Sequence, residues 1–265
     1  MSSLKKAISF VSIFLFSAIA TAYLFLGGFV LGKNRTILYK IANHFGGFSL
    51  NPFKPIGRIP SISISELLQE DEAIRLLEPE ASDGNVNELE LIVLNQLIKT
   101  RLPDVLFEIG TFDGRTTLNM AANIGEQGKV FTLDLPPDAI SKTRLSLESD
   151  DKTYIEKSES GSKFQQSPYR EKIVQLFGDS AEFDFTEYLG NIDLVFVDGS
   201  HSYEYVINDS VKALSLLKSR GGTVVWHDYD TWNGVTNALD YLLLNDSRFN
   251  GIRRIRNTSL VILLL

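Results

Sequence analysis

From residue 86 onward the hydrophobic pattern changes period again and again. Val86, Leu89, Val93 and Leu97 share one face of a predicted helix, with Leu94 and Ile98 beside it; that helix, Val86–Thr100, stops ahead of Pro103. Short apolar, β-branched and aromatic runs follow at Asp104–Ile109, Lys129–Leu133, Lys172–Phe177, Ile192–Val197 and Gly222–Trp226. Helical stretches lie between or after them at Thr116–Ile124, Tyr203–Leu217 and Val235–Leu244. The last carries Val235, Ala238, Leu239, Leu242 and Leu243 on one face. Strands that alternate with helices predict a parallel sheet covered on both faces. At the end, Gly251–Arg256 and Ser259–Leu265 are separated only by Asn257-Thr258, a connection that demands an antiparallel hairpin, expected at the sheet edge.

Two stretches break the rhythm. Pro136–Glu171 is polar and has no sustained period; Asp138–Leu147 can be helical, while Glu148–Tyr169 reads as a loop, so 136–171 is expected to act as a lid or substrate-recognition insert. Glu66–Leu77 reads as a short lead-in helix closed by Pro79 and the Asp83-Gly84 turn. No internal repeat is evident.

The first residues have a different character. Ala7–Leu31 carries no charge and is long enough to cross a bilayer of roughly 30 Å as a helix. Ala18-Ile-Ala20 and Ala20-Thr-Ala22 resemble signal-peptide cleavage sites, but the apolar run continues well past both, which favours an uncleaved anchor over 1–31. Residues 32–85 then form a juxtamembrane linker and lead-in helix before a catalytic domain at 86–265. Lys5 and Lys6 precede the span, and Lys33, Arg35, Lys40, Lys54 and Arg58 follow it. That distribution predicts a single-pass protein with its catalytic domain in the cytoplasm. The basic arm is mostly apolar, so no nucleic-acid partner is expected. The rest of the chain is acidic enough to bring the net charge to −7. With no cysteine, thiolate metal sites and cysteine nucleophiles are excluded.

Candidate chemistry collects at the predicted carboxyl ends of the strands, where open parallel sheets bind ligands. These ends read Glu108-Ile-Gly110-Thr111-Phe112-Asp-Gly114, then Asp134, Gly178-Asp179-Ser180, Asp198-Gly-Ser-His201 and His227-Asp228. Every end holds an acid, and two of the chain's three histidines are among them. The glycine turn lacks the G-x-G-x-x-G arrangement of a dinucleotide site. Its acid would repel a pyrophosphate and attract a cationic amino group. Asp134 is placed to accept from ribose hydroxyls, and Asp179 with Ser180 to hold a base edge. An amino group, a ribose and an adenine without phosphates describe S-adenosylmethionine.

The residues from about Glu88 to the end resemble class I S-adenosylmethionine-dependent methyltransferases. They are most similar to a bacterial family within the macrocin and catechol O-methyltransferase-like group, whose motifs stand here at Lys172–Phe185, Ile192–Ser210 (IDLVFVDGSHSYEYVINDS) and Gly221–Tyr229 (GGTVVWHDY). The resemblance implies a Rossmann-like α/β fold with a seven-stranded sheet and one antiparallel strand. It also implies cofactor contacts from Glu108, Gly110, Thr111, Phe112, Gly114, Asp134, Asp179, Ser180 and Asp198, and O-methylation of a small molecule, sugar or glycan precursor. Relatives bind Mg²⁺ through acids at the fourth and fifth strand ends, where Asp198 and Asp228 stand; His227 departs from them and suits Mn better than Mg. His227 and Asp228 can both be ligands only if the strand has already ended. Catalytic candidates are His201 and His227 as bases and Asp198. Against these roles, Ser202 can simply cap the next helix, and His227 can buttress the fifth strand. Trp226, Trp232, Phe183, Phe185 and Tyr188 read as packing or pocket wall. Two other classes remain open: an iron oxygenase using both histidines with one carboxylate, and a non-catalytic cofactor-binding module.

Overall fold

The computed structural model describes residues 3–28, 34, 57–70, 72–156 and 159–265. The chain divides into two units, Met1–Lys54 and Pro55–Leu265. Within the first, helix α1 covers Ser3–Gly28. Among the described residues no helix is long and apolar enough to cross a membrane. Ser12, Ser17 and Thr21 interrupt the apolar surface of α1. The expected membrane anchor, and with it the membrane localisation and the cytoplasmic orientation, is overturned. Of the predicted linker and lead-in stretch 32–85, residues 32, 33, 35–56 and 71 lie outside the described residues.

The second unit is built on one sheet. Strands β1 (Ser61–Ile62), β2 (Val105–Ile109), β3 (Lys129–Asp134), β4 (Ile173–Phe177), β5 (Leu194–Val197), β6 (Thr223–Trp226), β7 (Arg253–Ile255) and β8 (Val261–Leu264) lie in the order β1-β7-β8-β6-β5-β2-β3-β4. β4, β3, β2, β5 and β6 are parallel, and β8 is antiparallel to both β6 and β7. The hairpin forms as expected, but its antiparallel strand is interior. β7 folds outside β8, and β1, from the end of the predicted linker, pairs in parallel with β7 at the true edge. The sheet therefore has eight strands rather than seven.

Among the described residues this unit holds the helices α2 (Ile64–Leu67), α3 (Glu88–Arg101), α4 (Arg115–Asn123), α5 (Asp151–Ile155), α6 (Tyr203–Leu216) and α7 (Asn233–Asn245). Alternating side chains on the strands build two cores. Phe107, Ile109, Val195, Val197 and Trp226 pack with α6 and α7, whereas Leu106, Leu194, Phe196 and Val225 pack with α3 and α4. Each interior strand is thus buried on both faces, which explains its nearly continuous apolar run. On α3 the buried positions include Leu91, Val93, Leu94, Leu97 and Ile98; Leu89, expected inside, is exposed because it falls outside that arc.

The predicted lead-in helix shrinks to α2, and 72–86 is irregular instead, with a turn at Asp83-Gly84. Polar side chains of α4 capture its backbone. Asn119 and Asn123 each pair with both the N–H and the C=O of Leu77 and Arg75, at 2.8–2.9 Å. The buried Arg115 guanidinium donates to the carbonyls of Glu78, Pro79 and Val86. These bonds satisfy the peptide groups that a helix would have satisfied internally.

Candidate active site

All five parallel strands end on one side of the sheet, and a small cleft of about 90 Å³ opens there. β2 turns into α4 through Gly110 (φ +99°) and Gly114 (φ +85°). A Cβ on Gly110 would lie 1.9 Å from the Asp198 carbonyl oxygen, so the turn can approach β5 only as glycine. Gly110 and Phe112 line the cleft with Asp134, Asp179, Ser180 and Asp198. Among the described residues, no lysine or arginine lines it.

Asp134 accepts from the Thr111 N–H at 3.3 Å and from the Ser160 hydroxyl at 2.5 Å. Asp179 accepts from the Ala181 N–H at 2.9 Å, the Arg144 N–H at 2.7 Å and the Tyr205 hydroxyl at 2.8 Å. Glu108 differs from its neighbours. It lies beneath the cleft rather than on its wall, wholly buried, and accepts from the hydroxyls of Thr117 and Thr132 on one oxygen. The other oxygen makes no hydrogen bond. Burial pushes this carboxyl up to about 8, against the pull of the two threonines, so it is largely neutral near pH 7. The cationic attraction expected of Glu108 is therefore weak, and its role at this position is to tie β2, β3 and α4 together.

At the ends of β5 and β6, Asp198, His227 and Asp228 converge, with one potential ligand atom from each lying within 4.8 Å of the others. The condition set by the sequence is met: β6 ends at Trp226, and Asp228 takes a left-handed conformation (φ +67°) that turns its side chain toward its neighbour's. His227 Nδ1 lies 3.0 Å from Asp198 Oδ1 and 3.0 Å from Asp228 Oδ2. Its Nε2 lies 3.1 Å from Glu90 Oε2. Burial disfavours a charged ring, but Asp228 and Asp198 outweigh it and hold His227 well above the usual imidazole range.

His201 stands one step out from that cluster. Its Nε2 is 3.0 Å from Asp228 Oδ2, its Nδ1 is 2.5 Å from Asp151 Oδ1, and its ring stacks on Trp232 with centroids 4.0 Å apart. Burial opposes the charge, yet Asp151 and Asp228 raise His201 to about 9. Ser202 also caps α6, accepting from the Tyr205 N–H, as the capping reading of His201-Ser202 expects. Among the described residues the metal-capable group contains two carboxylates and one histidine, not the two histidines and one carboxylate of the oxygenase reading.

Sequence reasoning missed Glu90, Asp151, Ser160 and Tyr205. Glu90 did carry a local signal, since Asn87-x-x-Glu90 is a capping box on α3. Asp151 carried none. It lies on α5, inside the segment read as a loop, and is nonetheless buried. The insert is packed, not loose: the Gly161 and Lys163 N–H groups donate to the carbonyls of Phe112 and Asp113, and Ser160 and Asp151 close on the cleft. Only a 3₁₀ turn, Pro137–Lys142, stands where a longer helix was expected.

A family described as a methyltransferase domain matches residues 107–229. No curated protein matches the sequence. The fold is that of solved methyltransferases. The O-methyltransferase NovP superposes with a TM-score of 0.50 at 17% identity, over 67% of this chain and 80% of its own. TomG of Streptomyces achromogenes, an O-methyltransferase of tomaymycin synthesis solved with SAM, gives 0.46 at 14%, over 71% and 92%. An O-methyltransferase of Bacillus cereus solved with SAH gives 0.47 at 13%, over 72% and 84%.

Proposed function

We propose that the chain is an S-adenosylmethionine-dependent methyltransferase acting on an oxygen of a small molecule, sugar or glycan precursor. The observation that carries this reading is the single cleft joining the Gly110 turn, Asp134 and Asp179, with no lysine or arginine among its described lining residues and its one histidine already paired with two carboxylates. A phosphate-bearing dinucleotide would leave its charge unanswered there. A cationic ligand with ribose hydroxyls finds carboxylate acceptors on two successive strand ends. The match to a methyltransferase domain supports the same choice.

The sulfonium of that cofactor supplies an activated methyl group. What the protein adds is position and proton management. Gly110 lets β2 and β5 approach, which brings Asp198 to the boundary between the cofactor cleft and the histidine cluster. Asp134 and Asp179 fix the cofactor's polar edges. Phe112 and Tyr154, in edge-to-face contact at 6.0 Å, wall the cleft beside them. At the other end His201 bridges Asp151 at Nδ1 and Asp228 at Nε2; the two carboxylates favour its charged form near neutral pH, so it would take the acceptor's hydroxyl proton only after giving up its own.

Asp198, His227 and Asp228 also fit a divalent cation. Two carboxylate oxygens and one imidazole nitrogen converge, and the nitrogen favours Mn²⁺ over Mg²⁺. Such an ion would lower the pKa of a bound hydroxyl.

Calorimetric titration of the full chain with S-adenosylmethionine, S-adenosylhomocysteine and NAD tests the reading. Binding of both adenosyl ligands is expected, without NAD binding. Tight NAD binding with no response to either adenosyl ligand would overturn it.

A further inference from the structure

Glu90 begins as an ordinary capping residue. At the third position of α3 its side chain accepts from the Asn87 N–H at 3.0 Å, while Asn87 Oδ1 accepts from the Glu90 N–H. A capping box asks nothing more of the carboxylate and is normally satisfied at a helix surface. Here the side chain is 2% exposed and engages three further donors. His227 Nε2 meets Oε2 at 3.1 Å, and the Ser259 N–H and hydroxyl donate to Oε1 at 2.6 and 2.8 Å. A buried carboxylate is costly unless such partners surround it, so four donors on one residue need an explanation beyond helix capping.

The partners supply it. A histidine that donates Nε2–H to a carboxylate presents its Nδ1 lone pair in the opposite direction, and outer carboxylates of this kind orient metal-ligating histidines. His227 Nδ1 faces Asp198 and Asp228. The second route runs through Ser259. Its hydroxyl donates to Glu90 and accepts the Asp228 N–H at 3.3 Å, while its carbonyl accepts the Tyr229 N–H at 3.0 Å. The left-handed turn at Asp228 is thereby pinned from the β7–β8 connection. Glu90 thus touches His227 directly and Asp228 through one serine, from a helix far away in sequence.

We propose that Glu90 is a positioning residue that aligns His227 Nδ1 and the Asp228 carboxylate for a divalent cation shared with Asp198. This rests on the metal reading given above. It assigns to a helix-cap glutamate a function that the strand-end motifs do not contain.

The test is Mn²⁺ affinity, read by calorimetry on the full-length wild type, Glu90→Gln, Asn87→Ala and Asp198→Asn, with thermal melts alongside. Glu90→Gln is expected to weaken Mn²⁺ binding by about 10–100-fold. Asn87→Ala breaks the cap but spares the carboxylate; it should lower the melting temperature, as loss of a cap does, while leaving Mn²⁺ affinity within about twofold. If the wild type binds Mn²⁺ and Glu90→Gln binds equally well, the positioning role is overturned and the metal reading stands. If the two variants lose affinity and stability in proportion, Glu90 is only a cap, and the role is again overturned. If the wild type and Asp198→Asn alike show no binding, the metal reading falls and takes this role with it. Should Glu90→Gln fail to fold, Ser259→Ala tests the same relay. A loss of about tenfold supports it, and an unchanged affinity overturns it.

Discussion

The two halves of the cleft are built from the same kinds of residue in opposite ways. On the β2–β3–β4 side, each acid finds most of its partners in nearby loop and backbone groups: Asp134 takes the Thr111 N–H, and Asp179 takes those of Ala181 and Arg144. On the β5–β6 side, the acids are locked to histidines, and the histidines to Glu90 and Asp151 from remote segments. The first half is a set of prearranged hydrogen-bond acceptors. The second is a charge network, in which removing one member leaves the others buried and unpaired. This division matches a cofactor side that must recognise neutral hydroxyls and a reactive side that must hold and move protons.

The harshest way to break the comparison is to disturb the seam between the halves. Gly110→Ala places a methyl group 1.9 Å from the Asp198 carbonyl and a side chain at φ +99°. It should cost about 3–6 kcal/mol, combining backbone strain with overpacking, and so depress both functions together. Chemical denaturation with cofactor titration would show this, and a stable Gly110→Ala that binds cofactor normally would refute the seam.

Next in size is a crossed pair of variants. Asp228→Ala is expected to slow methyl transfer by about 10²–10⁴-fold with cofactor affinity nearly unchanged. Asp134→Ala should weaken cofactor binding by about 10–100-fold, as for a lost hydrogen bond to a charged group, with Mn²⁺ affinity unchanged. If each variant impairs both measurements equally, the two halves are not separable.

The mildest effect concerns Glu108. Its folded-state carboxyl lies near 8, above the ordinary 4.5, so between those values the native chain binds a proton that the unfolded chain releases. Its contribution to stability is full below about pH 4.5 and is lost as pH rises through about 8. Compared with Glu108→Gln, the wild type should lose stability across that window with a slope approaching 1.4 kcal/mol per pH unit, the limit of about 1.36 for one proton. Parallel stability–pH curves for the two proteins would show that Glu108 is ionised in the fold.

The recurrent apolar runs determined the parallel sheet, since a strand buried on both faces must be apolar throughout. The acids at the strand ends pointed to the edge of the sheet where the cleft opens. Asp134, Asp179 and Asp198 were legible because their positions follow from strand ends alone, and so was the condition that β6 must stop before His227. The helical reading of Glu66–Leu77 failed because Asn119, Asn123 and Arg115, distant in sequence, offer its backbone better partners than its own next turn. The membrane reading of Ala7–Leu31 rested on the length of an uncharged run and its basic flanks, and among the described residues no helix is long and apolar enough to cross a membrane. Tertiary structure alone decided that Glu90, Asp151 and Ser259 belong to the site and that Glu108 lies beneath it. A carboxylate's role depends on which donors surround it and how deeply it is buried. Those are properties of packed neighbours, and local sequence carries little trace of them.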